Sequence, residues 1–173
     1  WRLGLIHLFS SFILWWYSNS LKRQPFVGNF MVALLTGLSI TLVNVLYDLS
    51  NSFVIIYSLF AFFMTLVREI IKDMEDLKGD NTFGCKTLPI IWGIRKTKVV
   101  VYFLLALFLL LVILLNTIYT QMPFYYFLAF LFLPLGIFLI GFARADTKRN
   151  FYTLSQWCKV IMVLGVISMA FVQ

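Results

Sequence analysis

The segment VVVYFLLALFLLLVILLNTIYTQMPFYYFLAFLFLPLGIFLIGFA, residues 99–143, contains no charged side chain over 45 residues. A helix needs about 20 predominantly apolar residues to cross the hydrocarbon core of a bilayer, so this segment is long enough for two crossings. Polar residues and Pro123 interrupt it at NTIYTQMP, residues 116–123, and indicate a turn. The segment therefore predicts two transmembrane helices joined by a short loop.

Other apolar segments flank this pair, in a chain that is 62% hydrophobic with a mean hydropathy of +0.94. Residues 3–21, 24–47 and 49–67 are uncharged, and residues 151–173 contain one charge, Lys159, near their start. Because the runs are long and continuous, they favour helices over the alternating segments of a barrel. The sequence predicts an all-α, multi-pass transmembrane helical bundle that forms a single membrane domain over residues 1–173. The six predicted spans are about residues 3–20, 27–47, 50–67, 99–116, 123–143 and 153–172.

The basic residues lie on alternate connections between these spans. Twelve of the fourteen Lys and Arg residues follow spans one, three or five, whereas residues 48–51 and 117–122 contain none. The twelve are Lys22, Arg23, Arg68, Lys72, Lys78, Lys86, Arg95, Lys96, Lys98, Arg144, Lys148 and Arg149. Cytoplasmic loops of membrane proteins carry the excess of Lys and Arg, so the basic side is predicted to face the cytoplasm. Topology thus explains the net charge of +7, which indicates no nucleic-acid partner.

The acidic residues are concentrated in REIIKDMEDLKGD, residues 68–80, which holds five of the seven in the chain. They are Glu69, Asp73, Glu75, Asp76 and Asp80. On a continuous helix, all but Glu75 fall within about 60° of one another. Like charges on one helical face repel by about 0.2–0.5 kcal/mol per pair, and a divalent cation would convert this repulsion into ligation. Carboxylate oxygens suit Mg²⁺ or Ca²⁺ better than zinc, so these four acids are candidate metal ligands.

Two other arrangements fit the same residues. If Gly79 ends the helix, Asp80 lies on the following loop, still close to the other acids. Arg68, Lys72 and Lys78 are interleaved with the acids, so a solvated helix end with local ion pairs is the alternative to a metal site.

Two basic stretches lie on the same predicted side as the acids. They are YSNSLKR, residues 17–23, and GCKTLPIIWGIRKTK, residues 84–98. Carboxylates, a divalent cation and Lys or Arg side chains together are typical of a diphosphate site. The preference for positive charge on the cytoplasmic side is the alternative explanation of these stretches.

The stretch REIIKDMEDLKGDNTFGCKTLPIIWG resembles the second aspartate-rich motif of UbiA-type intramembrane prenyltransferases. The family pattern D-x-x-D-x-x-x-D is matched by Asp73, Asp76 and Asp80, and YSNSLKRQPFVGN resembles the Tyr-and-Lys signature of the family. The six predicted spans resemble helices four to nine of a nine-helix fold. Within the family, the chain looks most like the digeranylgeranylglyceryl phosphate synthase group.

The resemblance implies Mg²⁺-dependent transfer of a prenyl group from an allylic diphosphate, such as geranylgeranyl diphosphate, to a lipophilic acceptor within the membrane lipid. By this resemblance, Asp73, Asp76 and Asp80 are catalytic and hold the metal with Glu69 adjacent. The implied substrate-binding residues are Tyr17, Lys22, Arg23, Arg68, Lys72 and Lys86. Geranylgeranylglyceryl phosphate, a quinone-precursor ring and a heme precursor are the acceptor classes in the family. The sequence carries no signal for an oligomeric state.

This sequence contains no counterpart of the first aspartate-rich motif of the family, which lies between its second and third helices. We therefore expect three N-terminal helices to be absent from this chain, which then holds one metal half-site. A catalytically incomplete fragment that only binds prenyl diphosphate and Mg²⁺ is the alternative. A CDP-alcohol phosphotransferase is disfavoured because its D-x-x-D-G-x-x-A-R pattern is absent.

Overall fold

The computed structural model describes residues 2–19, 24–47, 53–120 and 128–169, and over these residues it is helical with no strand. The α-helices are α1 (Arg2–Asn19), α2 (Val27–Tyr47), α3 (Phe53–Glu75), α4 (Leu77–Thr82), α5 (Leu88–Leu115), α6 (Leu133–Ala143) and α7 (Lys148–Met169). A short π-helical segment, Asn116–Thr120, directly follows α5, and a second one, Leu128–Phe132, directly precedes α6. The predicted all-α class is confirmed.

Helix α3 is the centre of the bundle and packs against α2, α5 and α7. Its buried side chains recur every three or four positions, the spacing that places residues on one helical face. They include Ile56, Phe60, Phe63, Met64, Val67, Ile70, Ile71 and Met74. Lipid tails are as apolar as these side chains, so close packing rather than exclusion from water holds such helices together in a membrane.

A small residue lets α2 approach α3 closely. A Cβ atom added at Gly37 would lie 3.1 Å from the Ser58 carbonyl oxygen and 3.2 Å from the Phe62 Cβ. The Ser58 hydroxyl donates to the Gly37 carbonyl at 2.8 Å and lies 2.8 Å from the Thr41 hydroxyl. Hydroxyl groups thus link the two helices at the point where their backbones are closest.

The contact between α3 and α7 has the same character. A Cβ atom at Gly165 would lie 2.3 Å from the Phe60 ring, so the ring occupies the space beside this glycine. Further along, the Tyr57 and Ser168 hydroxyls are 3.2 Å apart. Helices α3 and α7 therefore pack together with the Phe60 ring of α3 against Gly165 of α7.

Three helical segments are long and apolar enough to cross a membrane by length and composition, within the described ranges. They are Val54–Glu75, Leu88–Ile118 and Lys148–Ser168. Shorter apolar helices, Leu8–Tyr17, Val27–Val43 and Ala129–Ala143, lie where the other three spans are predicted. Each predicted span thus overlaps an apolar helix within the described residues, and the span bounds and the number six stay predictions.

Helix α5 begins earlier than the predicted span over residues 99–116. Pro89 lies in its first turn, where a missing N–H costs no hydrogen bond. Gly93 then interrupts the helix with φ 77° and ψ 162°, a conformation that glycine adopts without steric cost. The helix continues through Arg95, Lys96 and Lys98, so it extends beyond the apolar segment from which the span was predicted.

Candidate functional site

The acidic stretch forms the end of α3, a bend and the short helix α4. Asp76 lies at the bend with φ −92° and ψ 10°. The helical pattern of backbone hydrogen bonds continues across it, because the Asp76 N–H donates to Lys72 and the Asp80 N–H donates to Asp76, both at 2.9 Å. Gly79 lies within α4, so the arrangement in which Gly79 ends the helix is wrong, and the bend lies three residues earlier.

Asp73 is the centre of the group of carboxylates. Its Oδ2 accepts a hydrogen bond of 2.7 Å from the Asn29 amide, which lies on the first turn of α2. The side chain is partly buried, and the carboxylates of Asp80 and Glu69 act on it electrostatically. Two acids of α3, Glu69 and Asp73 itself, act electrostatically on the phenol of Tyr17 at the end of α1. The structure therefore brings residues of α1, α2, α3 and α4 together around Asp73.

The other two acids contact α7. Glu75 accepts a hydrogen bond of 3.4 Å from the Ser155 hydroxyl. Asp76 is 45% exposed, and its Oδ1 lies 3.9 Å from the Lys148 ammonium at the start of α7. Asp76 therefore has a basic partner on α7, whereas Asp73 accepts its hydrogen bond from Asn29 of α2.

Arg68 forms an ion pair with Glu69 through Nη1 and Oε1. The two side chains are 24% and 18% exposed, so much of this pair is shielded from water. The Arg68 Nε is buried and has no hydrogen-bond partner among the residues that the structure describes. The Arg68 guanidinium therefore stabilises Glu69, and its Nε–H remains a donor that no described residue accepts.

The remaining predicted basic residues are less closely tied to the site. Lys72 is exposed on the last turn of α3 and acts electrostatically on Asp73. Lys86 is exposed on the connection between α4 and α5. Lys22 and Arg23 lie outside the described residues.

A model of the UbiA prenyltransferase family matches residues 1–170. The chain belongs to the UbiA prenyltransferase family. This membership, together with the apolar helices, indicates an integral membrane protein. The predicted resemblance to the family is therefore confirmed.

Similar members of this UbiA family include proteins named digeranylgeranylglyceryl phosphate synthase. The protein from Methanosphaera stadtmanae is 30% identical over 96% of this chain and 61% of its own length. The protein from Methanothermobacter thermautotrophicus is 32% identical over 96% of this chain and 59% of its own length. A solved structure from work on digeranylgeranylglyceryl phosphate synthase in membranes is 26% identical, with a TM-score of 0.77 over 95% of this chain and 58% of that one. This chain thus spans about 60% of the length of these relatives.

Mg²⁺ dependence is general in the UbiA family. The question is therefore whether the acidic group provides the ligands that this cation requires. No set of three or more His, Cys, Asp or Glu side chains is close enough to hold a metal within the described parts of the chain. A Ca²⁺ cage of six to eight oxygen ligands does not fit such an arrangement. Mg²⁺ usually takes one or two carboxylates, several waters and substrate phosphates, and Asp73 with its acidic neighbours fits that requirement.

Asn29, Ser155 and Lys148 contact the acids but are not among the site residues predicted from the sequence. Of these three residues, only Asn29 is indicated by the sequence, because it belongs to the stretch YSNSLKRQPFVGN that resembles a family signature. Ser155 and Lys148 lie more than 70 residues along the chain from the acids that they contact, so no local pattern reveals them.

Proposed function

We propose that this chain forms part of a Mg²⁺-dependent membrane prenyltransferase that acts on an allylic diphosphate such as geranylgeranyl diphosphate. The observation that carries this proposal is the position of Asp73, which is partly buried among acids at the polar end of α3. Membership of the UbiA family and relatives named digeranylgeranylglyceryl phosphate synthase support it. Geranylgeranylglyceryl phosphate is the acceptor that we propose.

In this reaction, the allylic C–O bond breaks and its electron pair leaves with the diphosphate. A new C–O bond then forms to the acceptor hydroxyl, which loses its proton. When bound, Mg²⁺ would supply positive charge that stabilises the leaving diphosphate. We propose that Asp73 would hold this cation together with Glu69, Asp76 and Asp80, of which one or two carboxylates would be ligands and the others would contribute negative charge.

The basic side chains near the acids have a separate role in the proposal. They stabilise the charge that develops on the leaving diphosphate, which lowers the energy of the transition state more than that of the bound substrate. We assign this role to Lys22, Arg23, Arg68, Lys72 and Lys86, and Tyr17 lines the site. The buried Nε of Arg68 supports the assignment, because it is a donor without a partner among the described residues.

We also propose that the site lies at the cytoplasmic boundary of the membrane. Two contacts support placing the basic connections at one end of the bundle. Lys148 lies 3.9 Å from Asp76, and Lys98 lies 3.1 Å from Asp146, so the end of α3 and the basic part of α5 both lie near the connection between α6 and α7. The excess of positive charge at this end is typical of the cytoplasmic side.

The test is prenyl transfer by the intact protein encoded by the gene, purified in lipid, with geranylgeranyl diphosphate and geranylgeranylglyceryl phosphate. Asp73→Asn is expected to reduce kcat/KM by about 100-fold or more, because the substitution removes charge at the cation site. Asp146→Asn is the matched control, since Asp146 is 81% exposed and lies outside the acidic group. Unchanged transfer by the Asp73 variant would refute the metal assignment.

The acceptor is tested separately by offering an aromatic quinone precursor in place of geranylgeranylglyceryl phosphate. Preference for the ring would overturn the proposed acceptor and leave the diphosphate site intact. Diphosphate binding with no transfer to any acceptor would favour a binding protein over an enzyme.

A further inference from the structure

We propose that Asn29 is a positioning residue that orients the Asp73 carboxylate for cation binding. The inference rests on the proposed function of the acidic group. The Asn29 amide donates to Asp73 Oδ2 at 2.7 Å and links α2 to α3 across 44 positions of sequence. Because the bond uses one lone pair of Oδ2, Oδ1 is the oxygen that this bond leaves fully available to a cation.

The electrostatic surroundings of Asp73 explain why such a donor is needed. The carboxylates of Glu69 and Asp80 repel that of Asp73, and the Lys72 side chain that attracts it is exposed. Arg68 is already engaged with Glu69. The hydrogen bond from Asn29 opposes rotation of the Asp73 side chain away from the neighbouring acids.

An amide suits this position better than a basic side chain. It fixes the direction of the carboxylate through a hydrogen bond to a charged acceptor, which is stronger than a bond between neutral groups. It carries no net charge, so it leaves the negative charge of Asp73 available to a cation. A lysine or arginine at residue 29 would neutralise that charge instead. The residue type is therefore the one that a positioning role requires.

The start of α2 is held firmly enough to fix the amide. Phe26 has a φ of 63°, which is unusual for a bulky residue, and its carbonyl accepts the Phe30 N–H at 2.9 Å. The Phe30 ring packs edge-to-face on Phe62 of α3 at 5.5 Å between centroids. One turn further along, Ala33 is fully buried. Asn29 thus lies on a turn whose apolar neighbours dock it against α3.

The experiment measures Mn²⁺ binding by electron paramagnetic resonance in the presence of inorganic diphosphate, using the intact protein in lipid. Asn29→Leu keeps a similar volume but cannot donate. It is expected to weaken Mn²⁺ binding about 10–100-fold, as does loss of residues that orient metal ligands elsewhere. The Mg²⁺ concentration for half-maximal prenyl transfer should rise by a similar factor. Ser39→Ala is the control on α2, because Ser39 is exposed and bonds only locally, to Thr36, among the bonds described.

A double substitution separates this role from a purely structural one. In an Asp73→Asn background, Asn29→Leu should cause no further loss of Mn²⁺ binding, because it acts through the carboxylate that is already absent. An equal further loss would refute the positioning role. If Asp73→Asn binds Mn²⁺ normally, the proposed function fails. If Asp73→Asn loses binding and Asn29→Leu retains it, only the inference about Asn29 fails.

Discussion

At the scale of single residues, Arg68 and Glu69 are neighbours in sequence whose side chains form a shielded ion pair. Such a pair contributes little net stability when it is intact, because both charges lose water on burial. Removing one partner is costly, since the other remains as a charge with little access to solvent. The pair therefore ties the stability of α3 to the charges of the candidate site.

Arg68→Ala is expected to lower the free energy of unfolding by about 1–3 kcal/mol, because Glu69 would keep its charge without its partner. Adding Glu69→Gln should recover most of this loss, since it removes the stranded charge. Chemical denaturation in mild detergent measures both effects. Lys148→Ala is the control, because both side chains of its pair with Asp76 are more exposed, at 73% and 45%, and the loss should be less than about 1 kcal/mol. Equal losses for the two pairs would contradict the shielding seen in the structure.

At the scale of helices, hydropathy and charge predict where helices lie but not how they contact one another. The apolar runs are long enough to reveal the helices, and the alternate basic connections predict which helix ends share one side of the membrane. Gly37 and Gly165 have no glycine four residues away, so no G-x-x-x-G pattern identifies them as packing positions. The bend at Asp76 is also unpredicted, because no proline or glycine stands at that position to indicate an interruption of the helix.

Gly165 supplies the test of the contact between α3 and α7. Gly165→Ala is expected to reduce stability by about 1–3 kcal/mol, because the new methyl group would overlap the Phe60 ring. Gly136→Ala is the matched control on α6, where no described atom lies within 4 Å of the added Cβ. It should be neutral or slightly stabilising, because alanine favours helices over glycine. Phe60→Leu combined with Gly165→Ala should recover part of the loss, and similar stability for both glycine variants would argue against this contact.

At the scale of the whole molecule, the acids of one helix become a candidate site only through residues far away in sequence. The prediction from Asp73, Asp76 and Asp80 depended on local spacing and on resemblance, and both are visible in a short stretch. The Asn29 amide and the Lys148 ammonium reach the acids through the packing of α2 and α7 on α3. Such contacts follow from the arrangement of helices, which local sequence patterns do not encode.

The chain's own cysteines allow the orientation of this arrangement to be measured. Cys85 is partly exposed beside the acidic group, whereas Cys158 is buried within α7. A membrane-impermeant maleimide should therefore label Cys85 in inverted vesicles and leave it unlabelled in right-side-out vesicles, if the basic end faces the cytoplasm. Cys85→Ser gives the background from any other thiol. Labelling of Cys85 in right-side-out vesicles would place the acidic group on the outer side, where the alternation of basic connections would require a different explanation.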